Sequence, residues 1–204
     1  MNGPTQSPQA LAASRIVLTG FMGAGKTTVG SLLGRRLGWK FVDSDRVIES
    51  RAGSAIADIF ALRGEAAFRD LEASAVRDCL EERQIVLALG GGALETASTQ
   101  ELLSTLPECL VVFLEAPLET MIARCCAEPG ASVRPVLADR QRLAGRWESR
   151  LPLYRRAHLT VQTQGIEPDA VADRIAGYLR QASSDPERAD TPFRATDQHR
   201  GVPA

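Results

Sequence analysis

A phosphate-binding loop is the stretch of this chain whose residue types and spacing most directly predict chemistry. Gly20, Gly25, Lys26 and Thr27 fit the pattern G-x-x-x-x-G-K-[ST], and the apolar residues 16–18 precede them as a short strand would. Glycines allow a tight turn close to a ligand, and the N–H groups that begin the following helix face an anion. Lys26 can reach the β- and γ-phosphates, and Thr27 can bind Mg²⁺. We therefore predict a nucleoside triphosphate site rather than a chance glycine-rich turn.

Two carboxylates follow the next short strand. Residues 40–42 have the pattern of a strand, and Asp43, Ser44 and Asp45 come directly after it. In a parallel sheet, this places them at the same edge as the phosphate loop, where they are suited to chemistry. Helix capping by Ser44 or Asp45 is the alternative. We expect capping from one of these residues and a functional role for the others.

The third predicted strand ends in glycines instead of a carboxylate. Residues 85–89 form a continuous apolar run, as in a central parallel strand, and Gly90, Gly91 and Gly92 follow. In many phosphate-loop proteins an Asp at this place supports Mg²⁺, so Asp43 becomes the best candidate for that role. Three glycines also let backbone N–H groups approach a small ligand, although a flexible turn is the alternative.

Several arginines are candidates for binding anions, because the guanidinium group pairs with carboxylate and phosphate through two hydrogen bonds. Considered alone, Arg69 is expected to be a solvated residue or an i,i+3 partner of Glu72. Arg134 lies in a Pro/Gly/Ser-rich segment that suits a mobile lid, from which it could reach the transferred phosphoryl group; an ordinary surface loop is the alternative. Arg150, Arg155 and Arg156 form a cationic cluster near that segment; a solvated face is the usual alternative.

The elements that must position these residues alternate between strand and helix. Helices are predicted at about 26–37, 57–64, 65–82, 99–106, 117–124, 138–147 and 168–181, and strands at 16–18, 40–42, 85–89, 110–114 and 159–161. Such alternation predicts an α/β fold of three layers, α/β/α, with a five-stranded parallel sheet and the site at its carboxyl edge. We expect a disordered leader at 1–13, one domain at 14–181 with a lid at about 127–140, and a disordered tail at 182–204.

Composition excludes several classes of protein. The chain has 204 residues and a formal charge of -1, so it has no global basic field for nucleic acid. No apolar run approaches the roughly 20 residues that cross a membrane, and the N-terminus lacks the features of a secretory signal. The 4 cysteines lack metal-ligand spacing. We expect a cytoplasmic protein that acts as a monomer, without nucleic-acid or membrane partners.

The ordered motifs together resemble the shikimate kinase family over about residues 15–179. The matching segments are GFMGAGKTT (20–28), FVDSD (41–45), GEAAFRDLE (64–72), LALGGGA (87–93), VRPVL (133–137) and SRLPLYRRAH (149–158). The loop alone is shared with thousands of proteins, whereas the combination is highly specific. The resemblance implies a P-loop kinase fold like that of the nucleoside-monophosphate kinases, and phosphorylation of the 3-hydroxyl of shikimate with ATP and Mg²⁺, on the route to chorismate and aromatic amino acids.

The resemblance also implies a role for each matched residue. Asp45 would bind the substrate hydroxyls and help orient or deprotonate the attacking one, Arg69 and Arg150 would hold the substrate carboxylate, and Gly91 would contact the substrate through its backbone. Thr27 would bind Mg²⁺ directly and Asp43 through water, while Arg134 would act from the lid and Arg124 would lie near the adenine. The triphosphate would be held by Gly23, Ala24, Gly25, Lys26, Thr27 and Thr28. The family often places a polar or basic residue after the fifth strand to contact adenine; residues 162–165, Gln-Thr-Gln-Gly, are given no role.

Two other functions compete with this interpretation. A gluconate kinase would share the loop and the lid, but it has less need of two arginines reserved for one carboxylate. A nucleotide-dependent switch or an inactive binding module is the second. A GTPase would require an N-K-x-D segment, which the sequence lacks, and an inactive module should have lost Lys26 or its carboxylates, which are present.

Overall fold

The computed structural model describes residues 13–127, 139–182 and 193. The strands are β1 (Arg15–Thr19), β2 (Lys40–Asp43), β3 (Ile85–Ala88), β4 (Cys109–Glu115) and β5 (Leu159–Gln162). The helices are α1 (Lys26–Leu37), α2 (Ser44–Ala52), α3 (Ile56–Glu81), α4 (Ala97–Thr105), α5 (Leu118–Ala127), α6 (Arg140–Tyr154) and α7 (Pro168–Ala182), with a short 3-10 turn at Ala93–Glu95.

Within the described residues, the five strands form one parallel sheet in the order β2-β3-β1-β4-β5. β1 and β3 are buried along their whole length, because the sheet is covered by helices and these strands are apolar throughout their central residues. This confirms the predicted α/β fold. The parallel order brings the carboxyl ends of β1, β2 and β3 to one edge, and the candidate site lies there.

Most predicted elements are present with their predicted bounds or close to them. α1 begins and ends where the pattern placed it, and Gly38 ends it with φ 68° and a backbone N–H that donates to the Arg35 and Gly34 carbonyls. The two helices predicted on either side of Gly64 both lie within α3, and the non-helical backbone of Gly64 (φ 79°, ψ 174°) separates them at a kink.

α6 is the element that the sequence predicted least well. We predicted its end at Trp147, but the helix continues to Tyr154 and contains Pro152. A proline removes one helical hydrogen bond. The last turn nevertheless closes, because the Arg155 N–H donates to the carbonyls of Leu151 and Leu153. The aromatic ring of Tyr154 is buried against Phe113, with centroids 5.3 Å apart. The extension places Arg150 on the helix rather than beyond its predicted end.

Phe193 packs into the domain from within the segment predicted to be a tail. Its side chain is 1% exposed, and its ring contacts His158 edge-on at 6.3 Å and lies 5.3 Å from the Arg156 guanidinium. His158 has a structural role, because its Nδ1 accepts a hydrogen bond from the Val111 N–H. The disordered leader and tail stay predictions. Among the helices of the described part of the chain, none has the length and apolar character needed to cross a membrane.

Candidate active site

One cleft brings together most of the residues predicted to act. It lies beyond the carboxyl ends of β1, β2 and β3 and has a volume of about 1120 Å³. Of the predicted site residues, its walls include Gly23, Ala24, Gly25, Lys26, Thr27, Thr28, Asp43, Asp45, Gly91, Arg124 and Arg150. Arg134, together with most of the predicted lid, lies outside the described residues.

The phosphate loop holds the predicted catalytic lysine at its centre. Lys26 is the first residue of α1, and its Nζ donates to the carbonyls of Gly20 at 2.8 Å and Phe21 at 3.0 Å. Burial lowers the pKa of Lys26, and the nearby carboxylates of Asp45 and Asp43 oppose that shift. The ammonium group is therefore positioned by the loop's own backbone. It lies close to the carboxylate of Asp45, which is predicted to bind the substrate hydroxyls.

A carboxylate and a hydroxyl meet beside this lysine. Asp43 ends β2, and its Oδ2 accepts a hydrogen bond from Thr27 Oγ1 at 2.8 Å. Hydroxyl and carboxylate oxygens are the donors that Mg²⁺ prefers, and Mg²⁺ usually keeps several waters as well. The pair therefore fits a magnesium ion held through one or two protein oxygens.

The residue that caps α2 is Asp43, rather than Ser44 or Asp45 as the sequence suggested. Asp43 Oδ1 accepts from the Asp45 N–H at 3.1 Å and so caps α2 while Oδ2 bonds Thr27. Ser44 is buried, and its Oγ accepts from the Gly90 N–H at 2.9 Å, tying the start of α2 to the glycine segment after β3. Capping and site support thus come from the same aspartate, whose two oxygens point in different directions.

Asp45 lies against the glycines that follow β3. A Cβ atom on Gly90 would be only 2.5 Å from Asp45 Oδ1, and one on Gly92 would be 2.7 Å from both terminal nitrogens of Arg69. A larger residue at either position would force these side chains to shift, so close approach explains the glycines better than a flexible turn does. Burial raises the pKa of Asp45, Asp43 raises it further, and Lys26 opposes the shift. A carboxyl with a raised pKa is better matched to accepting a proton near neutral pH.

Arg69 is ion-paired and only partly exposed, and it is not among the residues that line the cleft. Its side chain is 17% exposed. Nη1 donates to Glu72 Oε2 at 2.7 Å, which confirms the i,i+3 alternative, and Nη2 contacts Glu65 at 3.2 Å and Glu95 at 2.9 Å. Glu72 is buried, and burial raises its pKa although the hydrogen bond from Arg69 opposes the shift. Because α3 and the turn after β3 both supply partners, the guanidinium is held in one place.

Arg150 reaches the same point from α6. Its side chain is 14% exposed, and Nη2 lies 2.8 Å from Glu95 Oε2. Four residues on, the Tyr154 hydroxyl donates to the carbonyl of Gly91, and burial raises the pKa of this phenol. α6 therefore positions both the second arginine and the backbone of the predicted substrate-contacting glycine.

The rest of the predicted cationic cluster does not face the site. Arg155 is 64% exposed and approaches Glu115 at 3.9 Å, while Arg156 donates to Gln100 and lies over Phe193. Of these three arginines, only Arg150 lines the cleft. Arg155 and Arg156 follow the end of α6 at Tyr154, whereas Arg150 belongs to the helix itself.

Arg124 lies at the opposite end of the cleft from Arg150. Its Nη1 donates to the Gly23 carbonyl at 3.3 Å and to Thr163 Oγ1 at 3.0 Å, and its Nη2 donates to the Thr163 carbonyl at 2.6 Å. Gly165 and Ile166 continue this wall. The guanidinium is thus held between the phosphate loop and the segment after β5, a suitable surface for a nucleobase.

Sequence reasoning missed three contributors to the site. Glu95, Tyr154 and Thr163 were given no role, although each contacts a predicted residue. For Tyr154 a signal existed, since it lies one helical turn after Arg150. Glu95 and Thr163 meet their partners across more than twenty residues of chain, and no local pattern predicts such contacts.

The fold and the site define a P-loop kinase: a parallel sheet delivers a G-x-x-x-x-G-K-T loop to a cleft that Asp43, Asp45, Arg124 and Arg150 also line. A sequence model described as shikimate kinase matches residues 22–180. The chain belongs to the shikimate kinase family.

Individual relatives agree with this membership. Shikimate kinase from Persephonella marina is 37% identical over 166 residues, covering 81% of this chain and 98% of the relative. Shikimate kinase from Thermus thermophilus is 41% identical over 171 residues, covering 82% of this chain and 90% of the relative. The solved structure of Acinetobacter baumannii shikimate kinase in complex with shikimate is 36% identical, has a TM-score of 0.75, and is matched over 83% of this chain and 94% of that one.

Proposed function

We propose that this protein transfers the γ-phosphoryl group of ATP to the 3-hydroxyl of shikimate, giving shikimate 3-phosphate and ADP on the route to chorismate and aromatic amino acids. The observation that carries the proposal is the meeting of Arg69 and Arg150 on one carboxylate oxygen, beside a cleft that also contains the phosphate loop and Asp45. A small anionic polyol needs cations for its carboxylate and a carboxylate for its hydroxyls. Family membership supports the same substrate.

The acceptor end of the cleft would bind and orient shikimate. Arg69 and Arg150 would hold its carboxylate through charge-assisted hydrogen bonds, and Gly91, whose carbonyl is held by Tyr154, would contact it through the backbone. Asp45 would accept hydrogen bonds from the substrate hydroxyls. Its raised pKa suits a group that takes the proton of the attacking hydroxyl as the phosphoryl group is transferred.

The donor end would hold the nucleotide. Residues 23–28 would cradle the triphosphate with backbone N–H groups, and Lys26 would exchange its two carbonyl partners for the β- and γ-phosphates. Thr27 and Asp43 would hold Mg²⁺, the threonine directly and the aspartate through water; the ion would neutralise charge on the phosphates. Arg124 would lie near the adenine, and Arg134 would reach the phosphates from the lid.

A substrate panel tests the proposal. Purified protein with ATP and Mg²⁺ is given shikimate, gluconate and other sugar acids in turn, and ADP release is followed with a coupled assay. We expect rapid turnover with shikimate alone and phosphorylation at the 3-hydroxyl, checked by phosphorus NMR. Turnover with gluconate but not with shikimate would refute the proposal. A nucleotide switch or inactive module would release no acceptor-dependent ADP with any of these compounds.

We also propose that the protein works in the cytoplasm as a monomer, without nucleic acid. The formal charge of -1 supports the last point, because nucleic-acid binding relies on a concentrated basic surface. Size-exclusion chromatography with light scattering tests the monomer: a mass near 22.0 kDa is expected, and twice that value would contradict it.

A further inference from the structure

Glu95 makes a contact that the proposed reaction does not use. One oxygen of its carboxylate, Oε2, lies 2.9 Å from Arg69 Nη2 and 2.8 Å from Arg150 Nη2. These are the two guanidinium groups assigned to the substrate's carboxylate. A carboxylate of the protein thus lies between them, with the geometry that a bound carboxylic acid would need.

The electrostatics of this cluster favour one shared carboxylate. Two guanidinium groups that reach the same point repel each other, and an anion between them offsets that repulsion. Arg69 and Arg150 are largely buried, at 17% and 14% side-chain exposure, so solvent screens them less than it screens surface charges. Glu95 supplies the anion now. A ligand carboxylate would supply the same charge at the same place.

We propose that Glu95 stands in the acceptor's carboxylate position and that shikimate binds by displacing it. The inference rests on the proposed function and adds that substrate binding is an exchange of one carboxylate for another. Glu95 therefore competes with the substrate and sets its affinity. It also keeps the arginines paired until an acid of the right shape replaces it.

The surroundings of Glu95 allow this exchange. Glu95 is the last residue of the short 3-10 turn Ala93–Glu95, and its side chain is 35% exposed, so a rotamer change carries the carboxylate into water. The arginines keep other partners when it leaves: Arg69 remains bonded to the buried Glu72 at 2.7 Å, and Arg150 belongs to a helix whose Tyr154 is bonded to Gly91. The mobile member of the cluster is thus the carboxylate, and the fixed members are the cations.

Removing the charge of Glu95 tests the inference. We expect Glu95→Gln and Glu95→Ala to bind shikimate about three- to tenfold more tightly, because the substrate no longer displaces a partly exposed ion pair. The dissociation constant is measured by titration calorimetry, and the KM for shikimate should fall by the same factor. The KM for ATP should change less than about twofold, since Glu95 does not line the cleft that contains the phosphate loop.

Glu65→Gln is the matched control. Glu65 also contacts Arg69, at 3.2 Å, but its side chain is 70% exposed and it does not reach Arg150. Losing this charge should change shikimate affinity by less than about twofold. An equal gain in Glu65→Gln would show that overall charge, and not exchange at the arginine pair, controls affinity, and it would overturn the inference.

The methyl ester of shikimate distinguishes the exchange of one carboxylate for another from simple steric blocking by the Glu95 side chain. It carries no charge for the arginines, so its binding should stay weak in the wild type and in Glu95→Gln alike. Similar gains for acid and ester would mean that Glu95 only blocks space, and unchanged or weaker shikimate binding by both Glu95 variants would mean that Glu95 organises the arginines; either result overturns the inference. A wild-type protein that neither binds nor phosphorylates shikimate would instead refute the proposed function.

Discussion

The two ends of the cleft are built in different ways. The phosphate-binding part of the donor end comes from one continuous stretch between β1 and the start of α1, in which the carbonyls of Gly20 and Phe21 accept hydrogen bonds from Lys26. The acceptor end comes from α2, α3, α6 and the segment after β3, and ion pairs between side chains hold it together. A triphosphate is a large, common ligand that backbone N–H groups recognise well. A small acid with several hydroxyls needs side chains of both charges, placed from several directions.

The largest expected effect comes from a substitution that disrupts the donor end. Lys26→Ala should lower kcat by about 10²–10³-fold or more, because it removes a fixed charge from the developing transition state. Stopped-flow or coupled ADP assays at saturating substrates measure it. Lys40→Ala is the control, since Lys40 is 57% exposed and pairs with Glu82 away from the cleft; its kcat should be unchanged. A near-normal kcat in Lys26→Ala would contradict the assigned role.

Substitutions at the acceptor end should change the KM for shikimate rather than kcat. Arg69→Ala and Arg150→Ala should each raise the KM for shikimate about ten- to a hundredfold, since a charge-assisted hydrogen bond contributes about 1.5–3 kcal/mol. The KM for ATP should change little. Arg51→Ala, which removes an arginine paired with Asp78 outside the cleft, is the matched control. Equal increases for both substrates would exclude these arginines from a dedicated acceptor site.

Asp43 links the two ends, because its side chain bonds Thr27 at the donor end and the Asp45 N–H at the acceptor end. Its substitution tests the proposed role of Asp43 in binding Mg²⁺. Asn keeps the ability to cap α2, so Asp43→Asn should leave thermal stability nearly unchanged. It removes the negative charge beside Thr27, and the Mg²⁺ concentration needed for half-maximal activity should rise by about tenfold or more. Activity is measured across a magnesium titration at fixed ATP. An unchanged magnesium requirement would remove Asp43 from metal support.

The same contrast explains what the sequence could predict. The loop, α1 and its end at Gly38 are encoded by neighbouring residues, so their bounds followed from the local pattern. The joint role of Asp43 as cap and as partner of Thr27 depends on where β2 lies beside α1, and only the fold shows it. Arg69 and Arg150 were named because they match family motifs, but their meeting on Glu95 joins residues 26 and 55 positions apart.

Two further differences have a physical cause in tertiary packing. The sequence pattern ended the helix at Trp147, yet burial of Tyr154 against Phe113 accompanies a helix that continues past Pro152. Phe193 stands alone in a polar segment without periodicity, so its burial beside His158 could not be inferred locally. Long-range packing overrides local preference in both cases.

The smallest expected effect is a change of stability with pH at the acceptor end. Burial raises the pKa of Asp45 above its value in the unfolded chain. Between those two pKa values the folded protein keeps a proton that the unfolded chain has released, so the free energy of unfolding falls as pH rises through that range. Above the folded-state pKa the cost of the buried charge is present in full.

Asp45→Asn removes that cost along with the charge. Relative to the wild type, the variant should be more stable at pH 8 and nearly equal at a pH below the ordinary aspartate value, where both states of the wild type are protonated. Urea unfolding at several pH values measures the difference. Asp78→Asn, which alters an exposed aspartate paired with Arg51, should show no such gain. A variant that gains stability but loses turnover would show that the acceptor end keeps a destabilising buried charge for its chemistry.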